Sequence, residues 1–107
     1  MSKSVIQSGI CGFTTEVVAR GDSDTCSLII TSDCPAIQKL AEELRQVDPM
    51  EEITHKGKGP LTLRLAKKYC PHPSCPVPVG IIKAVEVEAG LALPKDAIIT
   101  VTNTNDY

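Results

Sequence analysis

The sequence predicts an α+β domain, and three observations predict it. Short extended segments fill the first third of the chain, a strongly periodic helical segment follows them, and a β-branched segment lies close to the end. The chain has 107 residues, of which 42% are hydrophobic, and a domain of this size buries roughly two-thirds of its unfolded surface. We therefore expect a single domain over residues 1–107.

The predicted sheet starts as an antiparallel meander of three strands. Turn-forming residues at 9–12 and 20–24, which include three of the seven glycines, separate the strands. A fourth strand is predicted near the C-terminus because isoleucine, valine and threonine are dense there. The expected strands are 4–7, 14–20, 26–31 and 97–102.

Two or three helices are predicted to pack against this sheet. The first begins after the third strand, where Ser32 or Asp33 can cap it and Pro35 suits the first turn. Its apolar residues recur at helical spacing: Ile37, Leu40, Ala41, Leu44 and Val47. A second helical segment is predicted at 49–53 or at 61–68, and a third begins near residue 74.

Charge and composition exclude several classes of function. The net charge of -2 and the aromatic content of 3% offer neither an electrostatic field nor stacking platforms for nucleic acid. The apolar runs are too short to span a membrane. Five cysteines, an odd number without a signal peptide, favour reduced thiols in the cytoplasm over a secreted disulfide framework.

Four of the five cysteines lie at turns or at predicted helix starts. Cys34 and Cys75 each stand directly before a proline of a predicted first helical turn, where free N–H groups and the helix dipole favour a thiolate. Cys70 lies in the proline-rich loop before Cys75, and Cys11 lies in a turn flanked by glycine. We predict that these four converge on one metal centre. Cys26 alternates with apolar strand residues, so we expect it in the core as a small hydrophobe.

The ligand type leaves the identity of the metal open. Four thiolates suit tetrahedral zinc and an iron–sulfur cluster equally well. The spacing lacks the two Cys-x2-Cys knuckles of a zinc ribbon, because only one pair is close in sequence. A structural or carrier role therefore follows more naturally than catalysis. His72, between Cys70 and Cys75, is an alternative ligand since imidazole also suits zinc.

The order and context of the four cysteines resemble those of the small TSCPD-domain proteins, over roughly residues 5–90. Related modules occur at the end of some cobalamin-dependent ribonucleotide reductases, and members are thought to bind metal, so the resemblance implies a metal-binding module. The segments that carry it are Gly9-Ile10-Cys11, Asp33-Cys34-Pro35, Tyr69-Cys70 and Pro73-Ser74-Cys75-Pro76.

Two other classes of function stay open from the sequence. Cys70 with Cys75, or Cys34 with Cys75, could cycle between dithiol and disulfide without metal. Alternatively, the basic segment at 55–68 could dock a larger enzyme or an acidic partner. The expected partner is a protein, and neither nucleic acid nor a membrane is expected.

Overall fold

The computed structural model describes residues 1–104, so residues 105–107 of the predicted domain lie outside the described residues. Four antiparallel strands form one sheet in the order β1-β2-β3-β4. The α+β class and the three-stranded meander are confirmed. The strands are β1 (Ser2–Gln7), β2 (Thr14–Gly21), β3 (Cys26–Ser32) and β4 (Gln46–Val47).

The turn between β2 and β3 holds these two strands close together. The Asp22 carboxylate accepts hydrogen bonds from the backbone N–H groups of Asp24 and Thr25, at 2.8 and 3.1 Å. A side chain at Gly21 would overlap the carbonyl oxygen of Thr25 and lie 2.8 Å from the Cα of Cys26. Glycine is therefore required at this position, because the two strands approach each other without room for a Cβ.

The predicted C-terminal strand does not form. Residues 97–102 are exposed and carry no regular secondary structure. The fourth strand is β4 instead, in which Val47 pairs with Cys26 at the start of β3. Val47 fits the helical spacing of the preceding segment, but it is buried by strand pairing after the first helix has ended. Strand formation needs a neighbouring strand, and residues 97–102 pair with none in this structure.

Four helices follow the meander, one more than the upper number predicted. Both alternatives for the second helical segment form, the earlier one as a single turn. The last helix begins two residues after Cys75, later than the predicted start near residue 74. The helices are α1 (Pro35–Glu43), α2 (Pro49–Glu52), α3 (Leu61–Tyr69) and α4 (Val77–Glu88). No helix in the described part of the chain is long and apolar enough to cross a membrane.

The helices cover one face of the sheet and leave the other uncovered. Helix α4 packs on β1 and β2, α1 packs on β3, and α3 contacts both α1 and α4. Burial alternates along the strands, so that the uncovered face exposes Val5 of β1 and Ile29 of β3. The core between the layers consists largely of fully buried aliphatic side chains, among them Val17, Leu40, Leu44, Val77, Ile81 and Val85.

Helix α4 runs antiparallel to β1, and three polar contacts fix its direction. The Ser4 hydroxyl donates to the carbonyl oxygen of Gly80 at 2.8 Å. At the far end of the helix, the Glu88 carboxylate accepts from the Ser2 hydroxyl at 3.0 Å and from the Gly21 N–H at 2.9 Å. The start of α4 therefore lies at the end of the sheet where β1 finishes.

A buried carboxylate begins helix α3. Pro60 is the N-cap residue and offers no side-chain cap. The Glu52 side chain, only 1% exposed, accepts hydrogen bonds from the N–H groups of Leu61 and Thr62 and from the Thr62 hydroxyl. These donors have no intrahelical partners, so Glu52 caps the helix from the preceding turn and ties α2 to α3.

Candidate functional site

The four predicted site cysteines all project from the same end of the fold. In the sheet register, Gln7 at the end of β1 pairs with Thr14, and Thr15 pairs with Ser32 at the end of β3. Cys11 lies in the connection that leaves β1 at this end, and Cys34 follows β3 there. Cys75 precedes α4, which starts at this end. We call it the cysteine end of the sheet.

Cys34 stands at the N-terminus of α1 and is held by its backbone. It is the N-cap residue, with extended φ and ψ of -82° and 122°. Its N–H donates to the Ser32 hydroxyl at 3.1 Å, and its carbonyl oxygen accepts from the Gln38 N–H at 2.9 Å. The thiol is half-buried against the core. The prediction that Cys34 stands at a helix start is therefore confirmed, although neither Ser32 nor Asp33 is the cap residue.

Cys70 and Cys75 flank the proline-rich loop between α3 and α4. Cys70 is the C-cap residue of α3, and its N–H donates to the carbonyl oxygen of Ala66 at 2.7 Å. Pro71 follows and prevents the helix from continuing. The Cys75 N–H donates to the carbonyl oxygen of His72 at 3.2 Å, which closes a turn across Pro73. Both thiols are half-buried and free.

The predicted position of Cys75 directly at a helix start needs correction by one residue. Pro76 takes the N-cap position of α4 in a helical backbone conformation, and Pro78 is the first-turn proline. The sequence pattern assigned these roles to Cys75 and Pro76. Pro76 and Pro78 both suit the first turn of a helix. Because the Cys75 N–H closes a turn with His72, the helix begins only after this turn, and Pro78 is its first-turn proline.

The thiol of Cys70 lies near the side chains of Cys75 and Cys34, and we call these three residues the thiol cluster. Burial is the main cause that raises the pKa of Cys70, and the nearby Cys75 and Cys34 side chains also contribute. Together they raise this pKa to about 11. Cys70 is therefore protonated at neutral pH in the metal-free protein. The three residues come from two loops that are more than thirty positions apart in sequence, which α1 and α3 bring together by packing on each other.

Cys11 lies at the cysteine end but stays exposed, apart from the thiol cluster. Its turn is closed by a hydrogen bond from the Gly12 N–H to the carbonyl oxygen of Gly9 at 2.9 Å, and both glycines have positive φ. Within residues 1–104, no group of three or more His, Cys, Asp or Glu side chains has the arrangement of a metal site. The side chains of the thiol cluster are therefore not arranged as a closed tetrahedral centre.

Two other candidate residues take ordinary positions. His72 is exposed in the proline-rich loop and contributes its carbonyl oxygen to the turn. Cys26 is completely buried at the start of β3, and desolvation raises the pKa of its thiol. This is the environment of a core residue, so Cys26 is separate from the thiol cluster.

The basic segment divides between a loop and a helix. His55, Lys56 and Lys58 lie in the exposed loop before α3. Lys67 and Lys68, in the last turn of α3, border a groove with Lys39 of α1, and Cys70 lines the same groove. Lys68 pairs with Glu43 at 3.6 Å, and Glu43 also accepts a hydrogen bond from the Tyr69 hydroxyl. These contacts join the end of α1 to the end of α3, next to Cys70.

Sequence reasoning missed the connections that hold this groove and its neighbouring helix in place. The sequence does contain a signal for the Glu52 cap. The residue before α3 is proline, which has no polar side chain, so the cap has to come from another residue. The link from Glu43 to Tyr69 has no local signal, because it depends on how two helices pack.

Comparison with known proteins gives one match. The sequence model of a family described as "Family of unknown function (DUF6951)" matches residues 2–101. No curated protein and no solved structure matches the chain. The match includes all five cysteines.

Proposed function

The chain belongs to the DUF6951 family, and we propose that it is a small protein that binds zinc or an iron–sulfur cluster through cysteine thiolates. One observation carries the proposal. Cys34, Cys70 and Cys75 are half-buried, free thiols at one end of the sheet, and the side chains of the other two lie near Cys70. Thiolates are the ligands that zinc and iron–sulfur clusters prefer, so a shift of these thiols towards a common centre would create a site of this kind.

Cys34, Cys70 and Cys75 would supply the fixed part of the site. Each is attached to a helix end or a closed turn, so little conformational entropy remains to be lost at their backbones. Cys34 stands at the N-terminus of α1, where the positive end of the helix dipole would offset part of the negative charge of a bound centre. Bound metal would favour the thiolate of Cys70, against the effect of burial, so binding should release protons.

Cys11 would supply the fourth ligand from a movable turn. The turn is exposed at the same end of the sheet, and its two glycines adopt conformations that other residues rarely reach. For Cys11 to join the other three thiols, this turn would have to change its conformation. A relationship to the TSCPD-domain proteins is part of the same proposal, since their cysteines occur in this order.

Metal analysis of protein made and purified without oxygen tests the proposal. We expect about one equivalent of zinc, or iron with a charge-transfer absorption band, in the parent protein. Cys75→Ser should lose most of it, because one of the interacting thiols is removed. The matched control is Cys26→Ser, which changes a buried cysteine outside the thiol cluster and should retain the metal. Protein that is metal-free in every anaerobic preparation would refute the proposal.

A second candidate function is favoured by the contact between Cys70 and Cys75. Oxidation would join their sulfur atoms, and the two protons and two electrons would pass to glutathione disulfide, which becomes two molecules of glutathione. The raised pKa of Cys70 disfavours it as the attacking thiolate. Peptide mass spectrometry across a glutathione redox series distinguishes the two functions. A reversible Cys70–Cys75 disulfide in metal-free parent protein would favour the redox function.

A further inference from the structure

Residues 91–103 form an exposed extension, which we call the C-terminal arm. Every residue of the arm is exposed, yet several of its side chains are large and apolar: Leu91, Leu93, Ile98, Ile99 and Val101. The described chain is 48 Å long but only 28 and 27 Å across, as expected for a compact body with a protruding arm. Several large apolar side chains exposed along one segment indicate a binding surface.

The outer part of the arm has the sequence of a half-buried strand. From 97 to 102, one row is wholly apolar (Ala97, Ile99 and Val101), while the alternate row holds Ile98 and two threonines. β-branched residues of this kind favour extended pairing. The family match continues to residue 101, so it includes all but the last residue of this segment.

The sheet has a free edge to which such a strand can add. β1 lies at the edge of the sheet and pairs with β2 alone. Its six residues equal the length of the strand-like part of the arm. β1 contains no proline, and its exposed Val5 lies on the uncovered face of the sheet. Backbone groups along its outer edge are therefore available for another strand.

The course of the chain favours the β1 edge of a different molecule. α4 ends beside Ser2, the first residue of β1, yet residues 97–102 are exposed and do not pair with the β1 edge of their own molecule. Pro94 fixes its own φ and biases Leu93 to extended backbone, which favours an extended arm. We propose that the C-terminal arm adds as a strand to the β1 edge of a second copy of this chain, and that two such exchanges form a symmetric dimer.

The symmetry of this arrangement supplies enough contact for a stable dimer. Each molecule provides one arm and one β1 edge, so the exchange closes and leaves neither element unpaired. Covering the apolar residues of both arms, together with the surface they meet, buries roughly 1,200 Å² or more, which is the lower range for specific interfaces. The inference does not depend on metal binding, because the thiol cluster lies at the opposite end of α4.

Two adjacent isoleucines provide a matched test. Ile98 and Ile99 are 84% and 82% exposed, so replacing either by lysine is equally harmless in an isolated molecule. In a paired arm, the Ile99 side chain lies in the same row as Ala97 and Val101. The Ile98 side chain lies in the alternate row, with the two threonines. Sedimentation equilibrium of the full chain, with reductant to prevent links through Cys11, should show a dimer at about 100 μM. Ile99→Lys should raise the dissociation constant at least about 100-fold, since the dimer contains the change twice. Ile98→Lys should change it less than about tenfold.

Hydrogen exchange then identifies the edge that the arm occupies. In the dimer, amides of residues 2–7 and 97–102 should gain protection together, and both should lose it on dilution to monomer or in Ile99→Lys. Four outcomes would overturn the inference. These are a parent protein that is monomeric at every concentration, an effect of Ile98→Lys equal to that of Ile99→Lys, a dimer in which β1 gains no protection, and arm protection in a monomer. The last would mean that the arm folds onto its own β1.

Discussion

At Gly80 helix α4 lies close against Ile6 of β1, and replacing this glycine by alanine tests that contact. A Cβ at this position would overlap Cγ1 of Ile6 and lie 2.6 Å from its Cδ1. The Ser4 hydroxyl, bonded to the carbonyl oxygen of Gly80, prevents the helix from rising freely off the strand. The methyl group must therefore displace the Ile6 side chain or shift α4.

The two opposing contributions of this substitution have comparable sizes. Overpacking a core contact costs about 1–3 kcal/mol. Alanine is more favourable than glycine inside a helix by about 0.5–1 kcal/mol. We therefore expect Gly80→Ala to lower the free energy of unfolding by about 1 kcal/mol, and by no more than about 2.5 kcal/mol.

The sign should reverse when Ile6 is shortened. In Ile6→Ala only the Cβ of that residue remains, 3.7 Å from the added methyl group, which is an ordinary contact. Gly80→Ala in the Ile6→Ala background should then raise the free energy of unfolding by about 0.5–1 kcal/mol, through helix propensity alone. The two backgrounds form a double-mutant cycle with a coupling energy above about 1 kcal/mol.

Urea unfolding followed by far-ultraviolet circular dichroism suits this chain, which has no tryptophan. Lys83 is exposed in the same helix, so the difference between Lys83→Ala and Lys83→Gly measures the propensity contribution without packing. If Gly80→Ala stabilises the parent protein as much as it stabilises Ile6→Ala, the close contact is not limiting and the reasoning is refuted.

Three further predictions concern buried and titrating groups. Glu52→Ala should lower the free energy of unfolding by about 2–4 kcal/mol because several helix donors lose a buried acceptor, whereas the exposed neighbour in Glu51→Ala should have little effect in the same urea assay. The Gly21 N–H and the N-terminal ammonium hold the pKa of Glu88 below its ordinary 4.5. Its stabilisation is therefore present above that pH and lost as the pH falls through the lower folded value, so the difference in stability between parent and Glu88→Gln should shrink from pH 7 to pH 3. A difference that stays constant would contradict this assignment. A pKa of about 11 in place of 9.0 lowers the thiolate fraction of Cys70 about 100-fold at neutral pH. Iodoacetamide should thus label Cys70 far more slowly than the exposed Cys11 in metal-free protein, and equal rates by peptide mass spectrometry would contradict it.

The parts of the fold that sequence patterns predict are those governed by local periodicity. Alternation along the third strand identifies Cys26 as a core residue, and it is completely buried. The spacing of Ile37 and Leu40 identifies the buried stripe of α1. These patterns succeed because one face of each element lies against the other layer, so period and burial agree.

The parts that fail depend on which segments meet. Val47 continues the helical spacing, yet α1 ends at Glu43 and the chain returns to pair with β3. Residues 97–102 have strand composition but pair with no strand inside one molecule. Composition reports the preference for extended backbone, whereas a strand also requires a partner, which is a property of the tertiary or quaternary structure.

The candidate site, like the fold, can be predicted from the sequence only in part. The sequence indicates that Cys34 stands at a helix start and that Cys70 lies at the proline-rich loop, and the structure agrees. Their mutual approach depends on the packing of α1 against α3, for which neither segment carries a local signal. The raised pKa of Cys70 has the same origin, because burial between elements and not the flanking residues is its main cause.

Helix α4 connects the two functional proposals physically. Its N-terminal end follows Cys75 and the thiol cluster, and its C-terminal end leads through Gly90 into the C-terminal arm. The absence of a side chain at Gly80 lets the helix lie directly on Ile6, and the contacts of Glu88 with Ser2 and Gly21 fix its other end. A displacement of α4 along or away from β1 would therefore shift Cys75 relative to Cys34 and also shift the root of the arm relative to the β1 edge. The close contact between Gly80 and Ile6 thus helps to position the thiols at one end of the molecule and the arm at the other.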